Sequence, residues 1–341
     1  MRTLTALVLA LLAVPGPSGA QGALAEPDGI DRVLLISVDG LNPRALAALG
    51  ADLTPGFHRL MREGASTLNA RTLYEETRTL PNHASMLTGR RAALPRGTGV
   101  RFNDDDGTTL RRTAGHYVPG VFDVVHDRGG STAMFVAKDK FRFLDRSWNE
   151  RNGALDTVGV DDGRDKVDRF VLLDAREDAL VDRLVTELRE APRTFTFLHL
   201  AAPDRAGHLH GGMSDPYLDA VRATDRLIAR ILRVVEAAPA LREDLTVIVT
   251  ADHGTRGRSH EDPRRLVNYR IPFFAWGPDV APGADLYTLN PEFPQPARRR
   301  PAYEGPQPIR NGDAANLVTD LLGLPRVPGS EFDVPRTLDL R

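Results

Sequence analysis

The chain has 341 residues, of which 41% are hydrophobic, and a formal net charge of -2 at pH 7. This composition suits one large soluble core, and the near-neutral charge provides no extended basic face, so a nucleic-acid polymer is not an expected partner. The sequence contains no cysteine, which excludes both a disulfide framework and lipid attachment at a cysteine.

Residues 1–20 have the three parts of a signal peptide. Arg2 provides a positive charge, an apolar run covers 4–14, and small residues at 18–20 offer a cleavage site. The apolar run is shorter than the roughly 20 residues that a membrane-spanning helix needs. We therefore expect an exported protein, periplasmic or secreted, without stable membrane insertion after cleavage.

Short apolar runs rich in branched residues predict five buried strands. These runs are 32–38, 131–137, 194–200, 245–250 and 271–276. Helical periodicity is clearest at 216–236 and at about 174–190, and a shorter helix is predicted from Asp313 to Leu322. Because strands alternate with helices, the predicted fold class is α/β, with an open, mostly parallel sheet and helices on both faces.

Three segments without clear periodicity interrupt this alternation. Segments 91–119 and 139–170 are rich in Asp, Arg and Gly, and 285–311 is rich in Pro and Arg. We interpret them as loops or small cap insertions in a single domain that spans 21–341. Ligands of such sheets bind beyond the carboxyl ends of strands, so the first two segments are expected near the site.

Residues of metal-binding types follow three of the predicted strands. They are, in chain order, Asp39, Asp204, His208, Asp252 and His253. A single aspartate after a strand is usually a helix cap or a turn residue, but the coincidence at three strand ends, with His260 shortly after the last, favours a ligand set. Carboxylates mixed with imidazoles suit zinc or a similar divalent ion.

The segment TLPNHASMLTG at 79–89 predicts a short helix that ends at Gly89. Thr79 would lie near the amino end of this helix, where unpaired backbone N–H groups favour an anion. A nearby metal ion would lower the pKa of the Thr79 hydroxyl, so that its oxygen attacks phosphorus. In isolation, Thr79 would be interpreted as a helix cap.

Taken together, these residues resemble the type I phosphodiesterase / nucleotide pyrophosphatase-like branch of the alkaline phosphatase superfamily. The matching segments, in the order of that family, are VDG at 38–40, TLPNHASMLTG at 79–89, PDRAGH at 203–208, ADHG at 251–254 and His260. With the terminal segment 308–325, the resemblance covers roughly residues 30–325. Each segment alone is weak evidence, whereas the ordered set is specific.

The resemblance implies two divalent metal ions, and zinc is the expected metal. One ion would be held by Asp204, His208 and His260, and the other by Asp39, Asp252 and His253, with Thr79 directed toward the second. Two ions about 4 Å apart stabilise both the attacking and the leaving oxygen of an in-line displacement. Thr79 would be the nucleophile, and the resulting phosphothreonine would then be hydrolysed by water.

The resemblance also implies an asparagine that donates to a phosphoryl oxygen, and Asn103 lies at the matching place. Asn82 is a second candidate for this donor. His199 lies within an apolar strand and is expected to be either a hydrogen-bonded core residue or a residue that supports a ligand, rather than a metal ligand itself. The acidic segments 104–107 and 161–163 lack the spacing of a calcium-binding EF-hand and are expected to be solvated turns.

The predicted function is hydrolysis of phosphate diesters or pyrophosphates in small, nucleotide-like substrates. A phosphomonoesterase would need further positive charge, for which Arg78, Arg101 and Arg142 are candidates. Phosphonate hydrolysis is also compatible with a threonine nucleophile, and a non-catalytic, metal-containing binding protein is a hypothesis of a different class. A sulfatase is disfavoured because Thr79 replaces the Cys or Ser that such enzymes modify.

Overall fold

The computed structural model describes residues 31–332 and 337–341. The predicted signal peptide at 1–20 lies outside the described residues. Within the part of the chain that is described, no helix combines the length and the apolarity that crossing a membrane requires.

A mixed, mostly parallel sheet forms the centre of the fold. Its strands are β1 (Arg32–Val38), β2 (Ala65–Arg71), β3 (Thr132–Val136), β4 (Arg169–Leu172), β5 (Phe195–Leu200), β6 (Leu245–Thr250), β7 (Arg270–Trp276) and β8 (Ala284–Asp285). Their order across the sheet is β4-β3-β5-β1-β6-β7-β2-β8. All neighbours are parallel except β7, which runs antiparallel to both β6 and β2. The predicted fold class is confirmed.

Helices cover this sheet in two packing groups. They are α1 (Pro43–Leu53), α2 (Pro55–Glu63), α3 (Thr79–Thr88), α4 (Leu110–Ala114), α5 (Val121–His126), α6 (Arg142–Trp148), α7 (Glu177–Glu190), α8 (Ala202–His210), α9 (Asp215–Ala237), α10 (Pro239–Asp244), α11 (Leu266–Tyr269), α12 (Leu286–Leu289) and α13 (Ala314–Leu321). Helices α1, α2, α7 and α8 pack against α9, whereas α3, α5 and α13 pack against one another. Two separate groups are expected when helices cover both faces of a sheet.

The central strands are buried because they are apolar on both faces. Six of the seven residues of β1, and all residues of β5 and β6, are buried. The parallel register pairs Val38 with Leu200 and Ser37 with Thr250, so the three strands end side by side. Residues that follow these strands therefore meet at one edge of the sheet.

The structure adds strands that the apolar runs did not predict. The four residues of β4 are only half-buried at the sheet edge, and β2 contains polar residues among its small ones, so neither shows a continuous apolar run. The segment 139–170, predicted as a loop or cap, contains α6 and ends in β4. Segments 91–119 and 285–311 are mainly irregular, with the short helices α4 and α12.

Candidate two-metal active site

The strand order brings three buried aspartates together. Asp39 directly follows β1, and its backbone N–H donates to Leu200 O at 2.8 Å. Asp204 lies in the first turn of α8, which follows β5, and Asp252 lies two residues beyond β6. The backbone N–H of Gly40 donates to Asp252 Oδ1 at 3.1 Å, which joins the ends of β1 and β6. All three carboxyl groups thus belong to one site.

Gly40 allows the close approach of β1 to α8. Its φ is +71°, and a Cβ atom added there would lie 3.0 Å from both Cα and Cβ of Asp204. A side chain at this position would therefore push the first turn of α8 away from Asp39.

One group of donor atoms is formed by Asp39, Asp252 and His253, which are fully buried. His253 Nε2 lies 3.4 Å from Asp39 Oδ1 and 3.2 Å from Asp252 Oδ2. The backbone N–H of His253 donates to Asp252 Oδ1 at 2.8 Å, which leaves Oδ2 directed at the imidazole.

A second group surrounds Asp204. His208 Nε2 and His260 Nε2 each lie 3.4 Å from Asp204 Oδ1 and 3.1 Å from one another. His208 is half-exposed, whereas Asp204 and His260 are buried. The ring of His253 stacks on that of His260 at 3.6 Å, so the two groups adjoin. His210 is exposed, and among the described residues it makes no such contact.

These residues fit divalent metal ions. Buried polar atoms without a hydrogen-bond partner in the described structure include Asp39 Oδ1, Thr79 Oγ1, Asp204 Oδ1, Asp252 Oδ2 and His253 Nε2. Such atoms are costly to bury unless another group, such as a metal ion, binds them. The donor separations of 3.1 to 3.4 Å match the edges of a tetrahedron around an ion that is roughly 2.0–2.2 Å from its N and O ligands. The chain therefore has two buried Asp/His clusters suited to a bimetallic site, Asp39 with Asp252 and His253, and Asp204 with His253 and His260. The predicted ligand His208 is half-exposed and lies beside the second cluster.

The charges at this site are strongly perturbed. Burial raises the pKa of Asp39, but the charge of Lys138 and the hydrogen bond from His199 outweigh it and hold the pKa well below 3.8. Burial, followed by the charges of Asp39 and Asp204, raises the pKa of Asp252 well above 3.8. Three carboxyl groups in one buried volume repel one another, and bound cations would relieve that repulsion.

Thr79 is the first residue of α3 and is buried. His83, one turn later, places its Nδ1 2.8 Å from Thr79 O and its Nε2 2.8 Å from Ser37 Oγ. The same Nδ1 lies 3.8 Å from Asp252 Oδ2. One imidazole thus fixes the nucleophile candidate relative to β1 and to the first donor group.

The loop that carries His260 is tied to the segment before Thr79. His260 Nδ1 lies 2.6 Å from Thr77 O, and Thr77 Oγ1 donates to His260 O at 2.5 Å. These contacts fix the imidazole orientation so that Nε2 faces Asp204.

The two candidate asparagines have different surroundings. Asn103 Oδ1 accepts a hydrogen bond from Leu80 N at 3.0 Å, which places the amide group beside the start of α3. Asn82 is buried, and its Nδ2 donates at 3.0 Å to both Glu76 O and Arg78 O. Asn82 therefore holds the loop before α3 together, whereas the amide group of Asn103 lies beside the first turn of α3.

His199 contacts Asp39, and this is the second of the two roles that the sequence left open for this histidine. Its Nε2 lies 3.0 Å from Asp39 Oδ2, and the ring is fully buried. Burial lowers the pKa of His199 despite the neighbouring carboxylate. Because a carboxylate oxygen can only accept, Nε2 is the donor in this contact. This contact fixes the orientation of a predicted ligand, as hydrogen-bond partners of metal ligands commonly do.

Lys138 is a residue of the site that sequence reasoning missed. Its Nζ donates to Asp39 Oδ2 and to Asp204 Oδ2, each at 2.6 Å, and so joins one carboxylate from each donor group. Burial lowers the pKa of Lys138, but these two carboxylates raise it above its ordinary value. The sequence could have indicated this role, since Lys138 directly follows a predicted strand, as Asp39 does.

The three arginines that the sequence offers for extra positive charge are all paired with carboxylates. Arg78 Nη2 lies 2.7 Å from Glu76 Oε2, and Arg101 Nη1 lies 3.7 Å from Glu76 Oε1. Arg142 Nε lies 2.7 Å from Asp139 Oδ1 on the surface. Lys138 is therefore the cation that the fold places among the predicted ligands.

The acidic segments lie at the surface, and the first of them is folded by its own side chains. The backbone N–H of Gly107 donates to Asp105 Oδ1 and that of Thr108 to Asp106 Oδ1, each at 3.0 Å. Asp162 belongs to a third donor group with His126 and Asp156. The ammonium of the fully buried Lys166 pairs with Asp156 inside that group and supplies its positive charge.

Comparison with known proteins identifies the family. The profile of the family described as type I phosphodiesterase / nucleotide pyrophosphatase matches residues 33–269. GPI ethanolamine phosphate transferase 1 of Saccharomyces cerevisiae is 29% identical over 157 residues, 44% of this chain and 16% of that protein. The Yarrowia lipolytica protein of that name is 29% identical over 188 residues, 51% of this chain and 19% of that protein. The chain thus spans less than a fifth of these relatives.

Solved structures share the fold. Murine ectonucleotide pyrophosphatase / phosphodiesterase 5, as an inactive variant in complex with AMP, has a TM-score of 0.60 and 14% identity over 87% of this chain and 96% of its own. The structure described as Ps i-CgsB has a TM-score of 0.59 and 15% identity over 91% of this chain and 75% of its own. With the family profile covering most of the sheet and the ends of its central strands, the chain belongs to the type I phosphodiesterase / nucleotide pyrophosphatase family of the alkaline phosphatase superfamily.

Proposed function

We propose that the protein is a two-metal hydrolase of phosphate diesters or pyrophosphates that forms a phosphothreonine at Thr79. The observation that carries this proposal is that Thr79 Oγ1 and one oxygen each of Asp39, Asp204 and Asp252 are buried without a hydrogen-bond partner among the described residues. A hydroxyl buried without a partner loses about 1–3 kcal/mol of hydrogen bonding. The hydroxyls of Thr224 and Thr246 are also unpartnered among those residues. Thr79 differs from them because His83 links its carbonyl to the carboxyl group of Asp252.

The proposed metal ligands are those of the two donor groups. One ion would be held by Asp204, His208 and His260, and the other by Asp39, Asp252 and His253. When bound, two divalent ions supply Lewis-acid stabilisation to the attacking and leaving oxygens of a phosphoryl transfer. Zinc is the expected metal because the donor set mixes carboxylates with imidazoles.

Thr79 would act as the nucleophile. Its Oγ1 attacks phosphorus, an oxygen–phosphorus bond forms, and the bond to the leaving alcohol or phosphate breaks. Water then cleaves the phosphothreonine, releases the phosphate product and restores the hydroxyl. The amino end of the ten-residue α3 supports the negative charge on phosphorus through its unpaired N–H groups.

Asn103 would orient the phosphoryl group. Its Oδ1 accepts a hydrogen bond from Leu80 N, so the Nδ2 hydrogens would donate to a phosphoryl oxygen near Thr79. One such donor suits a diester, in which two non-bridging oxygens share a single negative charge.

The relatives support this substrate class. One solved relative was described in complex with AMP, a small nucleotide. The names of the family and of the other relatives concern nucleotide pyrophosphates, phosphodiesters and transfer of ethanolamine phosphate. Small phosphorylated compounds are therefore the proposed substrates.

The experiment is a substrate panel with metal analysis of the same protein sample. We expect zinc-loaded wild type to cleave bis-p-nitrophenyl phosphate and a thymidine ester analogue faster than p-nitrophenyl phosphate. Thr79→Ala should lose at least about 10³-fold in kcat while retaining its metal, and Thr79→Ser should keep part of the activity. Full turnover by Thr79→Ala would contradict the proposal, and absence of turnover in metal-loaded wild type would favour a non-catalytic binding protein.

A phosphomonoesterase is the second candidate, and Lys138 is the observation that favours it. A monoester carries one more negative charge on phosphorus than a diester, so an extra cation at the site would stabilise it. Lys138 lies among the ligands, and Lys140 lies close enough that burial and the charge of Lys138 lower its pKa. Only three of the 44 basic residues are lysines, and two of them are at this site.

The two candidates differ in their response to Lys138→Ala. If monoesters are the substrates, this variant should lose kcat/KM for p-nitrophenyl phosphate at least tenfold more than for bis-p-nitrophenyl phosphate. An equal loss for both substrates, with wild type faster on the diester, would exclude the monoesterase.

We further propose that the protein is exported, on the basis of the signal-peptide pattern at 1–20. Mass spectrometry of the mature protein from the periplasmic and secreted fractions should find an amino terminus near residue 21. A protein retained in the cytoplasm with residues 1–20 intact would contradict this proposal.

A further inference from the structure

A cleft lined by arginines lies next to the first strand residues of β7. It has a volume of about 380 Å³ and is lined by Asn42, Arg44, Arg256, Arg265, Leu266, Val267, Arg270 and Arg298. We call it the arginine cleft. None of these residues is a proposed metal ligand.

Within the described part of the chain, the arginines of this cleft lack direct carboxylate partners, although the charge of Arg265 acts on the nearby Asp262. No carboxylate is among its lining residues, and none of its five arginines forms a salt bridge with a carboxylate in residues 31–332 or 337–341. Five guanidinium groups with one sign of charge focus an electrostatic potential that attracts anions.

A second arginine-bearing cleft gives a useful comparison. That cleft is lined by Arg205, Arg226, Arg230 and Arg233 but also by Glu177 and Asp178. Arg230 forms a salt bridge with Asp182, and Arg205 forms one with Asp174. The second cleft thus contains carboxylates among its arginines, whereas the arginine cleft has none in its lining.

Arg270 anchors the arginine cleft. It is half-buried at the start of β7, and its Nε donates to Leu68 O at 2.9 Å, which fixes the guanidinium. Burial lowers the pKa of Arg270, and the charges of Arg44 and Arg298 lower it further. The fold therefore holds like charges close together at an energetic cost that a bound anion would remove.

We propose that the arginine cleft binds a small polyanion that carries two or more phosphate groups. The planar guanidinium group of arginine matches phosphate oxygens in a bidentate manner, and five such groups exceed what one monoanion requires. The volume lies within the roughly 300–1,000 Å³ of ordinary small-ligand sites. Leu266 and Val267 add an apolar wall for a non-phosphate part of the ligand.

The cleft is connected to the metal centre through the backbone. Arg256 and Arg265 lie on either side of His260 in one loop. Asn42, three residues beyond Asp39, donates from Nδ2 to Thr255 O at 3.0 Å. A polyanion that bridges the arginines would hold both ends of the His260 loop in place.

The test measures binding of inorganic tripolyphosphate to the full chain by isothermal titration calorimetry at about 50 mM salt. Metal is first removed with a chelator, because tripolyphosphate binds metal ions and because the metal-free aspartates repel anions. The variant is Arg44→Glu/Arg298→Glu, in which both changed residues are exposed. The matched control is Arg226→Glu/Arg233→Glu, with the same charge change at exposed positions of the second cleft. Arg44→Gln/Arg298→Gln replaces the first variant if thermal unfolding shows that it does not fold.

We expect tripolyphosphate to bind wild type and the control, and the Kd of the cleft variant to rise at least tenfold. Tripolyphosphate should also raise the thermal unfolding midpoint of wild type but not of the variant. A parallel arm uses vesicles that contain phosphatidic acid, and variant-sensitive binding to vesicles alone would assign the phosphates to a lipid headgroup. Equal affinity of wild type and the cleft variant, or no binding of either probe, would overturn the proposal.

Discussion

At the scale of single residues, Lys138 has an unusual position because it joins two carboxylates that are both proposed metal ligands. In the metal-free protein, its ammonium provides the positive charge that Asp39 and Asp204 would otherwise lack. The stability of the metal-free protein should therefore depend on Lys138 more than that of the metal-loaded protein.

Lys138→Met should lower the free energy of unfolding of the metal-free protein by about 3–5 kcal/mol, the cost of removing one partner of a buried ion pair. Added zinc should recover more stability in this variant than in wild type. Urea unfolding with chelator and with zinc measures both effects. Lys140→Met is the control, because its nearest carboxylate, Asp104, is 3.7 Å away and almost fully exposed, so a loss of at most about 1 kcal/mol is expected.

The buried carboxyl group of Asp123, which lies away from the metal centre, should make the free energy of unfolding depend on pH. Burial raises its pKa to about 6, although its carboxylate accepts hydrogen bonds from Tyr117 Oη at 2.5 Å and Gly120 N at 2.7 Å. Because the folded pKa exceeds the ordinary value of 3.8, the folded state binds the proton more tightly than the unfolded state. This contribution to stability is complete below about pH 4 and is lost as the pH rises through 6.

The difference in unfolding free energy between wild type and Asp123→Asn should therefore change in favour of the variant between pH 4 and pH 7. The expected change is at most about 3 kcal/mol, from 1.36 kcal/mol per pKa unit. Urea unfolding at a series of pH values measures it. If the pH profiles of the two proteins ran parallel, the pKa of Asp123 would not be raised in the folded state and the prediction would be wrong.

At the scale of elements, α3 connects the proposed nucleophile to the carboxyl-terminal part of the chain. Gly89 ends this helix with φ of 64°, and its carbonyl accepts from Glu331 N at 2.6 Å and Phe332 N at 3.0 Å. A Cβ atom at Gly89 would lie 2.8 Å from Ser330 Cβ. Glycine is needed both for the left-handed conformation and for this close contact.

Gly89→Ala should lower the free energy of unfolding by about 2–3 kcal/mol, of which about 1–2 kcal/mol is the left-handed conformation and the rest the contact with Ser330. Gly115→Ala is the matched control, because Gly115 ends α4 with φ of 80° and nothing within 4 Å of an added Cβ. For Gly115→Ala we expect only the loss of about 1–2 kcal/mol that comes from the left-handed conformation. Equal losses in the two variants by urea unfolding would rule out the Ser330 contact as a cause.

At the scale of the whole molecule, the two donor groups link helices and strands from distant parts of the chain. Asp39, Asp204 and Asp252 come from the end of β1, from α8 and from the end of β6, and each has an unpartnered oxygen. Metal ions that bind only the folded arrangement should therefore stabilise the entire fold.

Free zinc at about 100 times its Kd should raise the free energy of unfolding by about 2.7 kcal/mol for each site, or about 5 kcal/mol for two. Asp252→Asn should reduce this response. Asp225→Asn should keep it, since Asp225 is a buried aspartate that binds Gly56 N and Phe57 N away from the site. Thermal unfolding at several zinc concentrations makes the comparison, and an undiminished response in Asp252→Asn would remove that residue from the ligand set.

The sequence alone determined the central strands and the identity of the candidate ligands. The apolar runs of β1, β5 and β6 are continuous because these strands are buried on both faces, and Asp39, Asp204 and Asp252 stand out because polar residues follow such runs abruptly. The α/β fold class followed from the same alternation, and the family from the order of the motifs.

Only the tertiary structure decided which of these side chains meet. The half-buried β4 and the polar β2 owe their pairing to neighbouring strands, and local periodicity does not encode such pairing. The roles of Lys138 and of the arginine cleft could be recognised only in the tertiary structure, because they depend on the charges of neighbouring side chains. Those charges come from residues up to 254 positions apart in the chain, such as Arg44 and Arg298, and strand order rather than spacing along the sequence brings them together.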